Sequence, residues 1–164
     1  MRYALKDFLP LIVLFSLIAA FTAIRQWFNC CNAMEAMSDF MGAFFIIFGT
    51  FKLLKWQGFA TAYQEYDIIA ARSKIYAYAY PIIEVGLGIA YLLRIAPITT
   101  SVITLLLMVI SSIGVFNELR KGKEIVCACL GTVFKVPMTY VTLIEDLLMA
   151  AMALYMIMVH YGRF

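Results

Sequence analysis

The sequence predicts an all-α integral membrane bundle of about five transmembrane helices, four if one of them does not cross, and three observations carry that prediction. Hydrophobic residues make up 65% of the 164-residue chain and charged residues only 14%, with a mean hydropathy of +0.91. Soluble domains run at about 45–50% apolar and about 25% charged. A water-soluble fold of this size buries only about 70% of its surface, too little to hide so much apolar side chain. The apolar residues also fall in long runs rather than in alternating strands, which excludes a membrane β-barrel. No segment has the composition of a linker or a disordered tail, so residues 1–164 read as one polytopic membrane domain.

A membrane helix needs about 20 residues, with about 17–25 as the working range. Five runs qualify. The first extends from Phe8 to Phe28 with Arg25 near its end. Its apolar part, Phe8 to Ile24, exceeds the usual signal-peptide core of about 7–15 residues; no small-x-small cleavage site follows, so it reads as a retained span. The second runs from Met37 to Leu54 and ends among Lys52 and Lys55. The third, Ile75 to Leu93, carries Glu84. The fourth, Ile98 to Phe116, is opened by Pro97, as suits a first-turn proline. The fifth, Met138 to His160, follows Pro137 and carries Glu145 and Asp146.

Orientation follows from the distribution of Lys and Arg. Ten of them (Arg2, Lys6, Lys52, Lys55, Arg72, Lys74, Arg120, Lys121, Lys123 and Lys135) fall on one side, and three (Arg25, Arg94 and Arg163) on the other. The expectation is an N-terminus in the cytoplasm and a C-terminus outside, in a bacterial inner membrane. A nucleic-acid partner is excluded, because the basic residues follow this pattern and the net charge is only +3. The partner that the composition demands is the lipid bilayer.

The four cysteines form two close pairs. Cys30 and Cys31 sit in the short outer loop after the first span, and Cys127 and Cys129 in the inner connection before the fifth. The pairs are thus expected on opposite faces, unless the apolar run Ile125 to Phe134 dips back into the membrane. Adjacent residues have α-carbons about 3.8 Å apart, below the usual disulfide range of about 4.4–6.8 Å. A Cys30–Cys31 disulfide would be strained and labile, and Cys127-Ala128-Cys129 closes a ring only slightly larger. Such spacing suits thiol–disulfide exchange. Two thiolates also suit a soft ion such as Cu(I), and cysteine can serve as inert packing. A zinc site is not expected, since His160 is the lone histidine and CxxC spacing is missing. No other cofactor is implied.

Two further patterns stand out. Cys30, Met34, Met37 and Met41 share one helical face; thioethers there could guide Cu(I), but methionine is foremost a core filler. Ionisable groups inside a bundle are costly and functional by default. At about 1.5 Å per residue, Glu84, Glu145 and Asp146 lie at similar depth, roughly 10–14 Å from the same face. They could share a proton, bind a cation, or pair with Lys52 or Lys74 reaching in from the rim. For Glu84 a functional and a packing role are both open, and Asp146 is read as packing. The connection Lys55 to Lys74 mixes Trp56, Phe59, Tyr63 and Tyr66 with charges, as expected of a helix at headgroup depth. Gly86 and Gly88 leave room for close helix approach or a bulky neighbour.

Phe40-Met41-Gly42, then Phe48-Gly49 with Phe51-Lys52-Leu53, resembles the second helix of the MauE/DoxX family of redox-associated membrane proteins. Tyr66-Asp67 followed by Tyr80-Pro81, Glu84 and Gly88 is similar to the same family, and Cys127-Ala128-Cys129-Leu130-Gly131 resembles the Cys-x-Cys-aromatic-Gly element of its MauE branch, with Leu130 at the aromatic position. The resemblance covers about residues 37 to 160. It implies a helical membrane partner for thioredoxin-like proteins, as in the maturation of a disulfide-rich methylamine dehydrogenase subunit, with Cys127 and Cys129 as the exchanging thiols.

Three functions are consistent with these readings. The first is a thiol-redox protein passing equivalents to or from a thioredoxin-like partner, with Cys127, Cys129, Cys30 and Cys31 as reacting groups and Glu84, Glu145 and Lys52 as further site residues. The second is a carrier of Cu(I) or Hg(II) on the same cysteines, resembling in outline the small mercury-uptake membrane proteins. The third is an assembly factor without chemistry of its own.

Overall fold

The computed structural model describes residues 9–28, 32–121 and 140–162. Among them six α-helices follow one another: α1 (Leu9–Phe28), α2 (Ala33–Leu54), α3 (Trp56–Gln64), α4 (Lys74–Leu92), α5 (Pro97–Arg120) and α6 (Tyr140–Tyr161). Five of them, all but α3, are long and apolar enough to cross a membrane. The expected spans are therefore all present. The second begins four residues earlier than its apolar run, because Asn32 caps it, its side chain accepting a hydrogen bond from the Met34 amide at 3.1 Å. The fourth extends to Arg120, a further turn beyond Phe116. Ser73 caps α4 by accepting from the Tyr76 amide, and Pro97 occupies the first turn of α5.

The bundle is built on two closely packed antiparallel pairs, α2 with α4 and α5 with α6. Glycine sets the first crossing. A methyl group at Gly88 would lie 2.9 Å from both the Gly42 carbonyl oxygen and the Ile46 amide nitrogen. One at Gly42 would lie 2.7 Å from the Leu92 side chain. In lipid no solvent drives helices together, so such small-residue contacts supply the association. The second pair uses small residues too: Ser101, Thr104, Ser111 and Ser112 of α5 are buried, as are Ala150 and Ala153 of α6. Helix α1 is peripheral and buries only Leu11 and Ile18. It docks on α2 through Phe15, whose ring lies 5.7–6.3 Å from those of Phe40, Phe44 and Phe48.

Helix α3 follows α2 after the single residue Lys55 and turns beneath the bundle. The sequence placed its aromatic rings at headgroup depth. The structure instead turns Phe59 and Tyr63 inward, leaving Trp56 part-exposed with its indole N–H donating to the Tyr78 carbonyl. The turn after α3 is pressed against α5, where a methyl group at Gly114 would lie 2.6 Å from the Tyr66 carbonyl oxygen. Phe59 and Tyr63 thereby form a floor under one end of the bundle.

The opposite end is tied by ions. Arg94, in the turn between α4 and α5, reaches Glu35 at 2.9 Å and Asp39 at 3.9 Å, and Arg25 of α1 reaches Asp39 at 3.3 Å. Arg94 and Ala96 both adopt left-handed backbone angles, at φ 54° and 42°; in non-glycine residues these cost energy that the surrounding contacts must offset.

The Gly88 crossing yields a paired expectation. Gly88→Ala should force α2 and α4 apart and cost about 1–3 kcal/mol of overpacking. Gly86→Ala, where the new methyl meets nothing within 4 Å, should be neutral or slightly stabilising, alanine being the better helix former by about 1 kcal/mol. Thermal unfolding of the two variants in detergent checks this, and equal midpoints would contradict the crossing geometry.

Candidate functional site: a polar chamber inside the bundle

Just above the α3 floor lies a cavity of about 30 Å³, room for about two water molecules at ~10–15 Å³ each. Lys52, Glu84, Ser111, Glu145 and Asp146 converge on it, one or more from each of α2, α4, α5 and α6. The helix ends explain the convergence. Lys52 stands in the last turn of α2, whereas Glu145 and Asp146 stand in the second turn of the oppositely directed α6.

Lys52 and Glu84 form a bidentate ion pair, the ammonium donating to both carboxylate oxygens at 2.5 and 2.7 Å. Both are buried, at 7% and 2% exposure. The ammonium also lies 4.9 Å from the Tyr80 ring centre and 5.4 Å from that of Phe59, where the ring faces add attraction. An amine buried in a membrane must be fully matched, and here a carboxylate and two aromatic faces do so. Lys74, the other candidate partner, is exposed.

Asp146 accepts a hydrogen bond from the Ser111 hydroxyl at 2.8 Å. Glu145, 6% exposed, has a carboxylate oxygen with no hydrogen-bond partner. The sequence reading assigned Asp146 to packing; the structure brings it to the chamber wall beside Glu84. Glu145 lines a second cavity as well, of about 350 Å³, between α6 and the α1 residues Leu11, Ile12, Phe15 and Ser16.

Below the chamber, Tyr63 donates to Asp67 at 2.9 Å, and the other Asp67 oxygen accepts from the Ile69 and Ala70 amides at 2.9 and 2.7 Å. Burial, with Tyr80 and Asp67 adding to it, pushes the Tyr63 phenol well above its ordinary range. It therefore stays a hydrogen-bond donor through neutral pH. The Tyr63 ring lies tilted against that of Tyr80, with centres 4.5 Å apart, linking the floor to the ion pair.

Cys30, Cys31, Cys127 and Cys129 lie outside the described residues. The helix ends that flank them do not. Phe28 and Asn32 belong to the end tied by Arg25 and Arg94, and Lys121 and Tyr140 to the α3 end. Of the methionines expected on one face of α2, Met41 is fully buried, and Met34 and Met37 rest against the core. Among the described residues, no three His, Cys, Asp or Glu side chains are close enough to hold a metal ion.

Of the residues that sequence reasoning singled out, the structure brings Lys52, Glu84 and Glu145 together at the chamber. That reasoning missed Ser111, for which no signal existed, and the buried Asp39, which meets Arg25 of α1 and Arg94 of the turn between α4 and α5. Residues 30–159, which include all four cysteines, match the family model described as Methylamine utilisation protein MauE. No curated protein and no solved structure matches.

The Asp67 network can be tested by itself. Asp67→Ala strands the Tyr63 hydroxyl and two amides, at about 1–3 kcal/mol for each buried donor left unmatched. Amide hydrogen exchange at Ile69 and Ala70 should accelerate, while the α5 and α6 amides remain protected. Unchanged exchange at both positions would contradict the network.

Proposed function

The chain belongs to the MauE family, and on that premise we propose that it is a membrane thiol-redox protein that passes disulfide or reducing equivalents to or from a thioredoxin-like partner, in support of disulfide maturation of an exported protein. The observation that carries this reading is the spacing of its cysteines: two pairs, Cys30-Cys31 and Cys127-Ala128-Cys129, both inside the family-matched region. Neither pair closes a relaxed disulfide, so each is poised to hand its oxidation on. In the exchange, a thiolate of one pair attacks the partner's disulfide. One partner sulfur leaves as thiolate and takes up a proton, and a mixed disulfide forms. The neighbouring cysteine then displaces the second partner sulfur, so that the pair is oxidised and the partner reduced by two electrons. The reverse sequence runs the equivalents the other way.

The charge asymmetry supports an orientation with the α3 end and residues 127 and 129 facing the cytoplasm, and residues 30 and 31 facing outside, in a bacterial inner membrane. The flanking helix ends, at opposite ends of the bundle, agree with two separated pairs. The polar chamber would then lie toward the cytoplasmic side.

A second reading, a soft-metal carrier, draws on one specific feature. Met34, Met156 and His160 line a cavity of about 70 Å³ near the helix ends that flank Cys30 and Cys31. Thioether and imidazole groups are suitable donors for Cu(I).

Trapping separates the two readings. A mixed disulfide persists when the resolving thiol is missing. Replacing one member of a pair by serine should yield a covalent complex with a thioredoxin-like protein, seen without reductant and lost with it, and only one member of the pair should give it. If no single-serine variant traps a partner and the purified protein binds Cu(I) at one ion per pair, the carrier reading replaces the redox one.

A further inference from the structure

The two ends of the bundle differ in charge balance. At the Arg94 end two guanidinium groups meet two carboxylates, Glu35 and Asp39. In the chamber one ammonium meets three carboxyl groups, Glu84, Glu145 and Asp146. The ammonium is held by both oxygens of Glu84. Among the described residues, Asp146 receives the neutral Ser111 hydroxyl, and one oxygen of the buried Glu145 carboxyl has no hydrogen-bond partner.

Among the described residues, no cation other than Lys52 lines the chamber. Its described titratable lining is Lys52 from α2, Tyr63 and Tyr66 from α3 and its turn, Tyr80 and Glu84 from α4, and the two carboxyls themselves from α6. Helix α5 brings the neutral Ser111, and the facing α1 residues Leu11, Ile12, Phe15 and Ser16 carry no charge. Asp67, beyond the floor, is already satisfied by Tyr63 and two amides. Two adjacent carboxylates in an apolar interior, with the neighbouring Lys52 ammonium already bound by both oxygens of Glu84, repel each other and forfeit their hydration. Protons are the ligand that neutralises them within a space of this size.

We infer that Glu145 and Asp146 form an intramembrane proton-binding site, each carboxyl holding one exchangeable proton beside the Lys52–Glu84 pair. The chamber admits about two waters, enough to relay protons between the two carboxyls. Glu145 borders both the chamber and the largely apolar groove between α1 and α6. The assignment stands on this geometry and is independent of the thiol reading.

Infrared difference spectroscopy of the purified protein in lipid nanodiscs tests it without any redox partner. The unaltered protein should show carbonyl-stretch signals of protonated carboxyls at neutral pH. Those signals should shift on transfer to D2O and disappear at alkaline pH. Glu145→Gln should remove one signal, Asp146→Asn the other, and the double variant both, with helix content by circular dichroism unchanged. The D2O shift in the unaltered protein remains a direct readout if a variant fails to fold. Absence of protonated-carboxyl signals at neutral pH, or their survival in the double variant, would overturn the assignment. Loss of the signals on adding sodium at constant pH would overturn it too, in favour of a metal-cation site.

Discussion

A single ion pair organises the bundle: Lys52 of α2 against Glu84 of α4, both shielded from lipid. Neither group is tolerable alone in a hydrocarbon-embedded core, since an unpaired charge there costs several kcal/mol. Together they fix the relative height of the two helices, because a slip of one residue, about 1.5 Å, would break the bidentate contact. The glycine crossing of Gly42 on Gly88 works at the same interface, about one turn along α4 from Glu84. Tight backbone contact and a directional ion pair thus define one register between them.

The rest of the α3 end answers to that pair. The aromatic faces of Tyr80 and Phe59 complete the ammonium's surroundings, and Phe59 is in place only because α3 folds back beneath α4. That return is held in turn by Asp67, whose carboxylate gathers the Tyr63 hydroxyl and two amides. The chamber is what remains between this floor and the four helices above it. Its excess of carboxyl over ammonium groups distinguishes it from the balanced ion cluster at the other end. This member of the MauE family therefore carries a buried acidic site next to a fixed positive charge.

Much of the fold was legible in the sequence because membrane helices announce themselves by length and polarity. Each span, the proline that opens α5 and the close approach at Gly88 could be read before the structure was known; Gly86, read the same way, meets nothing within 4 Å. The carboxylates were legible for the same reason, since Glu84 and Glu145 interrupt apolar runs. What periodicity could not resolve was Asp146. Adjacent residues on a helix point about 100° apart, so a simple one-face argument admits one of Glu145 and Asp146 to the interior. Both enter because the chamber lies where several helices converge rather than along one face. The inward turn of Tyr63 and Phe59 was illegible for a different reason: an aromatic, mixed-polarity segment suits the headgroup layer and a buried floor equally well. Asp39 was hidden because its partners come from other elements, Arg25 from α1 and Arg94 from the turn between α4 and α5.

The central claim is that Lys52 and Glu84 act as one unit on which the register of the bundle depends. A double-mutant cycle with Lys52→Met and Glu84→Leu, followed by reversible unfolding in detergent, addresses it most directly. Each single change should cost about 3–5 kcal/mol by leaving a buried charge uncompensated. The double variant should lose well under the sum, since no unmatched charge remains. Losses that simply add, or a single variant as stable as the unaltered protein, would contradict the account.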